Sequence, residues 1–327
     1  MSEITYLEAV NQTLYEELSR DEKVILMGED IGSTGGAFGC AKGLLDKYGS
    51  QRIIETPISE NSFIGVATGA SLVGLRPIVE IMYMDFLLLG ADQVCNHLSK
   101  LRYIYGGQSI LPVTIRTTTG GNCRYGASHA QNLEALFKHV PGLKIATPSN
   151  ANDAKWLLQH AVRDDNPWLV IESRKLYNNS CEITSETDVP VGKARVMLTG
   201  KDLTLVTYSR MVPECELAVS RLCKEKGIDI ELIDLRTINP LDHDTIHESV
   251  QKTGRLVVVH EAYKTCGVGA EIVSQATEAC LKYMIIPPLR IGAKDTPIPA
   301  SSVLEDHNVP SSVSIEKSIL DHLGKFL

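Results

Sequence analysis

"RIIETPISENSFIGVATGASLVGLRPIVE", Arg52 to Glu80, holds the pattern from which the fold can be read. "RIIET" is short, β-branched and apolar, as a buried strand is. Pro57 marks a turn. From Asn61 to Val73 small and apolar residues recur at helical spacing. Pro77 then introduces a second apolar strand, "RPIVEIMYM". Strand, helix and strand in that order predict parallel strands joined by a crossover helix. One residue does not suit the stretch. Glu60 sits at the junction of two apolar segments, where a buried carboxylate is costly unless it is paired or used.

The same alternation extends on both sides. "VILMGED" predicts a strand over Val24 to Met27, and "LPVTIRT", "LKIATP" and "WLVIES" (Trp168 to Ser173) predict three more. Helical patterns cover Thr5–Leu18, Gly90–Tyr103 and Ala151–Arg163. Alternating strands and helices imply a mostly parallel sheet with helices on both faces. A polar stretch without strands follows, "NNSCEITSETDVPVGKA", from Asn178 to Ala194. The alternation then restarts: "DLTLVTYS", a helix ending at Gly227, "IDIELIDLR", the helix "HDTIHESVQKTG", "RLVVVHEA", the helix "GVGAEIVSQATEACLKY" and "LRIGAKDTP". Lys224 and Lys226 before Gly227 form a helix C-terminal signature. The expectation is an α/β protein of two domains, each with a mostly parallel sheet flanked by helices: residues 1–180, a linker over 181–194, and residues 195–327.

Composition narrows the class. The 327 residues are 43% hydrophobic and 22% charged, the balance of a soluble globular protein, and the formal net charge is -8. That sign argues against nucleic acid or an anionic membrane as partner. No apolar run approaches a membrane span. The start, "MSEITYLEAVNQTLYEEL", is acidic and amphipathic, unlike a signal or transit peptide, so a cytoplasmic location is expected. Eight cysteines are scattered without a C-x-x-C, which predicts reduced thiols rather than a metal knuckle or redox pair.

Several standard motifs are missing: no P-loop, no G-x-S-x-G, no H-E-x-x-H. "GVGAE", Gly267 to Glu271, is half a dinucleotide fingerprint and reads better as glycines that let a helix approach its strand. "HDTIH" puts His243 and His247 on one helix face, without a third metal ligand nearby, and reads as a polar helix face. For Glu60, position leaves two readings open. It lies at the carboxyl end of a strand in a parallel sheet, where α/β proteins place their sites. It is also at a helix start, where a carboxylate interacts with the local dipole. Burial would raise its pKa and the helix terminus would lower it.

Blocks along the whole chain resemble the beta chain of the thiamine-diphosphate-dependent decarboxylating component of 2-oxo acid dehydrogenase complexes. Pyruvate, acetoin and branched-chain enzymes make up that family. The resemblance runs through "RDEKVILMGEDIG", "GLLDKYGSQRIIETPISE", "GLRPIVEIMYMDF", "ADQVCNHLSKLRYIYGGQ", "SHAQNLEALFKHVPGLKIATPSNANDAK", "IDLRTINPLDHDTI" and "GRLVVVHEA". It implies a transketolase-like pyrimidine domain followed by a transketolase-like C-terminal domain.

It also implies a role for Glu60. In such enzymes one glutamate hydrogen-bonds the N1′ atom of the cofactor's aminopyrimidine and so promotes loss of the thiazolium C2 proton. Glu29, in "MGED", matches a second acid near that ring. Ile58 and Met82 match apolar contacts to it, and Phe86 matches the aromatic residue that packs on it. His129, in "SHAQN", matches the family's active-site histidine, whose implied role is to donate a proton or hydrogen bond as the acyl group passes to the lipoyl arm. Val113, Ala161, Val162, Asp164 and Asn166 match a potassium site built mainly from carbonyl oxygens.

This chain departs from the family pattern at Leu89, where relatives often carry glutamine, and at Ala130, where they carry serine. The resemblance assigns no role to Arg124 and Tyr125, in the loop before His129. The GDG motif that binds the Mg2+ of thiamine diphosphate is missing. The resemblance therefore implies a separate alpha subunit carrying it, in an α2β2 heterotetramer, with a lipoyl acyltransferase core as acyl acceptor and a small 2-oxo acid or acetoin as substrate. The alternative is a transketolase-like subunit moving a two-carbon unit from a ketose phosphate. "HAQN" and "RYIYGGQ" favour the dehydrogenase.

Overall fold

The structure is a computed structural model, and it describes residues 3–326. It divides the chain into two units: Met1–Gly120 with Leu136–Val191, and Gly121–Ala135 with Gly192–Leu327.

In chain order the first region contains β1 (Glu3–Thr5), α1 (Tyr6–Arg20), β2 (Val24–Gly28), α2 (Leu44–Tyr48), β3 (Ile53–Glu55), α3 (Glu60–Leu72), β4 (Arg76–Ile81), α4 (Leu101–Ile104), β5 (Thr114–Thr119), α5 (Glu134–Lys138), β6 (Lys144–Ala146), α6 (Ala151–Arg163), β7 (Trp168–Ser173) and β8 (Ser180–Glu182). The strands pair in parallel in the order β6-β7-β5-β4-β2-β3. Strands β2, β5 and β7 are buried along their whole length, which explains why they read as apolar runs rather than alternating ones. Helix α1 starts on a capping box formed by Thr5 and Glu8 and buries Tyr6, Leu14 and Leu18 in the core shared with α6 and Trp168.

Three local expectations are corrected. The continuous helix over Gly90–Tyr103 is instead a 3₁₀ segment, Met84–Gly90, a π-helical turn, Gln93–Leu98, and the short α4. At Ser99 both the backbone N–H and the hydroxyl bond to the Val94 carbonyl, at 3.1 and 2.6 Å, five residues back. The polar stretch after β7 is not an open connection. Strand β8 pairs antiparallel with β1, and Val189 is fully buried in the first core. The segment Gly121–Ala135 belongs to the second unit although it lies between first-unit strands in the chain.

The second unit contains β9 (Arg195–Leu198), β10 (Leu203–Thr207), α7 (Met211–Lys226), β11 (Ile230–Asp234), β12 (Thr237–Asn239), α8 (His243–Thr253), β13 (Leu256–Tyr263), α9 (Val268–Cys280), β14 (Leu289–Ala293), α10 (Ser302–Asn308) and α11 (Ser312–Leu323). Its sheet runs β14-β13-β10-β11-β9, parallel except for the antiparallel edge strand β9. Helix α7 ends as its sequence says, with Gly227 in the left-handed region. The "GVGAE" glycines permit close packing. A Cβ on Gly267 or Gly269 would come within 2.6 or 2.8 Å of the His260 ring, which projects from β13. His243 and His247 are half-buried neighbours 5.9 Å apart, and no group of three metal-ligating side chains occurs among the described residues. All eight cysteines are free. Among the described residues no helix is long and apolar enough to cross a membrane.

Candidate functional site

The carboxyl ends of β2 and β3 build the first half of the site. Strand β3 stops at Glu55, Pro57 turns the chain, and α3 begins at Glu60, which is 4% exposed. Ser59 precedes α3 without a side-chain cap bond. Glu29 follows β2 directly and is 7% exposed. Its carboxyl is held above the ordinary carboxylate range, first by burial, then by the neighbouring Glu60 and Asp30 charges. Glu29 Oε1 is buried with no hydrogen-bond partner. Two acids thus share a water-poor corner, and one of them has an unused acceptor. Such an atom is what a donor on a bound ligand would satisfy.

Apolar groups surround these acids in sequence. Ile58 is 83% exposed, and Leu89, the departure noted above, is 63% exposed. Gly90 lies close to the start of α3: a Cβ there would fall 2.4 Å from Ile64 Cδ1 and 3.5 Å from the Glu60 carbonyl oxygen. Met82 follows β4, and its carbonyl accepts a 2.6 Å hydrogen bond from Thr118 Oγ1. The Phe86 ring packs edge-on against Tyr83 at 5.7 Å, and Tyr83 against Phe38 at 5.4 Å.

Strands β4, β5 and β7 also share a buried network that no sequence motif marks. Arg116, 2% exposed, donates from Nη1 to Glu80 (2.5 Å) and from Nε and Nη2 to the two oxygens of Glu172 (2.8 and 2.9 Å). The Tyr177 hydroxyl donates to Glu172 at 2.6 Å. The available signal was one buried charged residue in each of three adjacent apolar strands, with Glu80 and Arg116 in register.

His129 lies in the second unit, on an irregular loop. It is half-buried, its Nδ1 is 3.0 Å from Ser128 Oγ, and its N–H donates to the Gly126 carbonyl at 3.3 Å. Two of the residues at which this chain stands apart from the family pattern have clear surroundings. Ala130 is fully buried in a small apolar cluster with Ala293, Ile298 and Val309. Arg124 forms ion pairs with Glu305 and Asp306, both at 2.8 Å. A serine hydroxyl at position 130 would enter that apolar cluster.

The cation ligand set has internal donors. The Val113 carbonyl accepts from the Trp168 backbone N–H, those of Val162 and Asp164 accept from Arg76, and Asn166 Oδ1 accepts from Arg102. The Asp164 carboxylate is held below the usual range against the cost of its burial by Lys144, Trp168 and Asn166, each of which donates to it. Neither Asp164 nor Asn166 has a buried side-chain oxygen without a partner, and no step below depends on a bound cation.

Family comparisons agree with this layout. The family model for the transketolase pyrimidine binding domain matches residues 2–180, and that for the transketolase C-terminal domain matches residues 192–315. A solved split-gene transketolase, titled an inactive beta4 tetramer, shares the fold with a TM-score of 0.79 over 99% of both chains at 21% identity. Fold and sequence thus define a two-domain protein of the transketolase type. Within that class, the mitochondrial pyruvate dehydrogenase E1 component subunit beta of Bos taurus is 42% identical over 94% of this chain and 87% of its own length. The E1 beta subunit of Rickettsia felis is 40% identical over 97% of each. The chain belongs to the family of E1-component beta subunits of 2-oxo acid dehydrogenases.

Proposed function

We propose that this chain supplies the aminopyrimidine half of a thiamine diphosphate site. An alpha subunit supplies the diphosphate and Mg2+ half, and the acyl product passes to the lipoyl group of an acyltransferase. The observation that carries the reading is the buried pair Glu29 and Glu60 at the ends of β2 and β3, with Glu29 Oε1 unsatisfied. When bound, thiamine diphosphate supplies a carbon nucleophile and an electron sink. Glu60 would share a proton with the ring atom N1′, a task suited to a carboxyl shielded from water. Glu29, whose pKa burial and then Glu60 raise, would donate or accept at the same edge of the ring. Ile58, Met82 and Phe86 exclude water from the ring faces. His129 acts later, as proton or hydrogen-bond donor during acyl transfer.

The missing GDG motif makes the alpha subunit a requirement. Calorimetric titration of the isolated chain with thiamine diphosphate and Mg2+ should show no binding, and adding an alpha subunit should restore it. Tight binding to the isolated chain would reject the reading. "RYIYGGQ" and "HAQNLEALF" favour a small acyl donor, pyruvate or acetoin, over branched 2-oxo acids. Comparing kcat/KM for pyruvate, acetoin and 2-oxoisovalerate in the reconstituted complex tests this, and a clear preference for 2-oxoisovalerate refutes it.

A further inference from the structure

The loop that carries His129 leaves β5 at Gly120 and returns at Leu136, yet it has moorings in the second unit. The principal one is Glu305 on α10, whose side chain is fully buried. Oε1 accepts the backbone N–H of Asn122 at 2.7 Å. Oε2 accepts the backbone N–H of Arg124 at 3.1 Å and its guanidinium Nη1 at 2.8 Å. The same guanidinium donates to the Ser302 carbonyl at 3.2 Å and to Asp306 at 2.8 Å. One carboxylate thereby fixes two backbone amides two residues apart.

The loop needs that hold. Asn122 and Arg124 both adopt positive φ, 59° and 67°. A left-handed arginine costs energy and persists only where its surroundings over-determine it. Farther along, Ala130, next to His129, is buried against Ala293, Ile298 and Val309, and the Tyr208 hydroxyl donates to Glu134 at 2.7 Å. His129 is thus bracketed by attachments on both sides.

We propose that Glu305 and Arg124 are positioning residues for His129. They make the C-terminal domain part of the acyl-transfer apparatus. This rests on the reading of His129 as the acyl-transfer group. The chemistry requires such a device, because a group that must meet an incoming lipoyl arm cannot sit on a freely moving loop. Misplacement by about 1 Å can cost on the order of a hundredfold.

The test uses the complex reconstituted with an alpha subunit. Glu305→Gln keeps the shape but turns an amide N–H2 toward a donor. Arg124→Ala is milder and leaves both backbone bonds in place, and Arg124→Lys restores the charge without the fork. Two readouts are taken: hydrogen exchange of the 121–131 backbone amides without cofactor, and acyl transfer to a lipoyl domain set against decarboxylation with an artificial electron acceptor. Exchange should accelerate in the order Arg124→Lys, Arg124→Ala, Glu305→Gln. Transfer should fall in the same order, by roughly tenfold to a hundredfold at the extreme, while decarboxylation stays near wild type. Wild-type protection of the loop in Arg124→Ala and Glu305→Gln overturns the proposal. So does a loosened loop with undiminished transfer. If Glu305→Gln does not fold, the Arg124 pair carries the test. His129→Ala is the separate control: wild-type transfer in that variant rejects the role given to His129, and amide exchange then decides the mooring.

Discussion

Among the buried carboxylates of the first unit, two sets are treated oppositely. Glu80 and Glu172 lie on either side of Arg116, and every oxygen of Glu172 has a donor within 2.9 Å. Glu29 feels the charge of the neighbouring Glu60, and its Oε1 has no hydrogen-bond partner. Burial opposes ionisation at Glu80 as it does at Glu29. At Glu80, however, the guanidinium pulls back, whereas at Glu29 the next influence is another acid pushing the same way. A protein that needed these charges only for stability would pair them. The acid pair that is left uncompensated beside an exposed Ile58 is the one poised for a ligand.

The comparison can be broken most forcefully at its paired half. Arg116→Met leaves two buried carboxylates without their cation, and unfolding stability should drop by about 3–5 kcal/mol. Denaturant unfolding of the isolated chain measures this. A variant as stable as wild type would mean that the network is ornamental and that pairing does not separate the two sets.

A third buried acid sharpens the contrast in the second unit. Burial pushes the Glu134 carboxyl up to about 7, with the Tyr208 hydroxyl pulling it down and Glu261 raising it. Its folded pKa exceeds its unfolded one, so the folded state holds the extra proton between them. Stability therefore falls as pH rises from about 4.5 to 7. Relative to Glu134→Gln, wild type should lose on the order of 2–4 kcal/mol between pH 5 and pH 8. Parallel stability profiles of the two proteins would show that Glu134 keeps an ordinary pKa.

The smallest effect belongs to the unpaired set. Glu29→Gln relieves the repulsion between neighbouring acids, so the apo protein should gain a little stability at pH 7, less than about 1 kcal/mol, and nothing at pH 4. Thermal unfolding at the two pH values checks this. Destabilisation at pH 7 would mean that Glu29 has a structural partner after all.

What was legible in the sequence follows from the range of the forces involved. The parallel sheets could be read because β2, β5 and β7 are buried throughout and announce themselves as apolar runs. Glu60 stood out because a charge in an apolar βαβ unit is a local anomaly, and Gly227 ended its helix by local sterics. The π-helical turn after Gly90 was not legible, since one carbonyl, that of Val94, takes both bonds from Ser99 where a helical pattern predicts regular spacing. The home of the His129 loop was hidden for a stronger reason. Its anchor, Glu305, is 183 residues from Asn122 in the chain, and no periodicity connects them. The resemblance supplied His129 itself but not what holds it.

The central claim is that Glu60, in the unpaired acid set, is the proton partner of the cofactor ring. Hydrogen–deuterium exchange at thiamine diphosphate C2, measured in the reconstituted complex, reports that step alone. In Glu60→Gln the exchange should fall by roughly two to four powers of ten, the range of a lost general acid–base group, while His129→Ala stays near wild type. Exchange at the wild-type rate in Glu60→Gln, or an equal loss in both variants, would contradict the account.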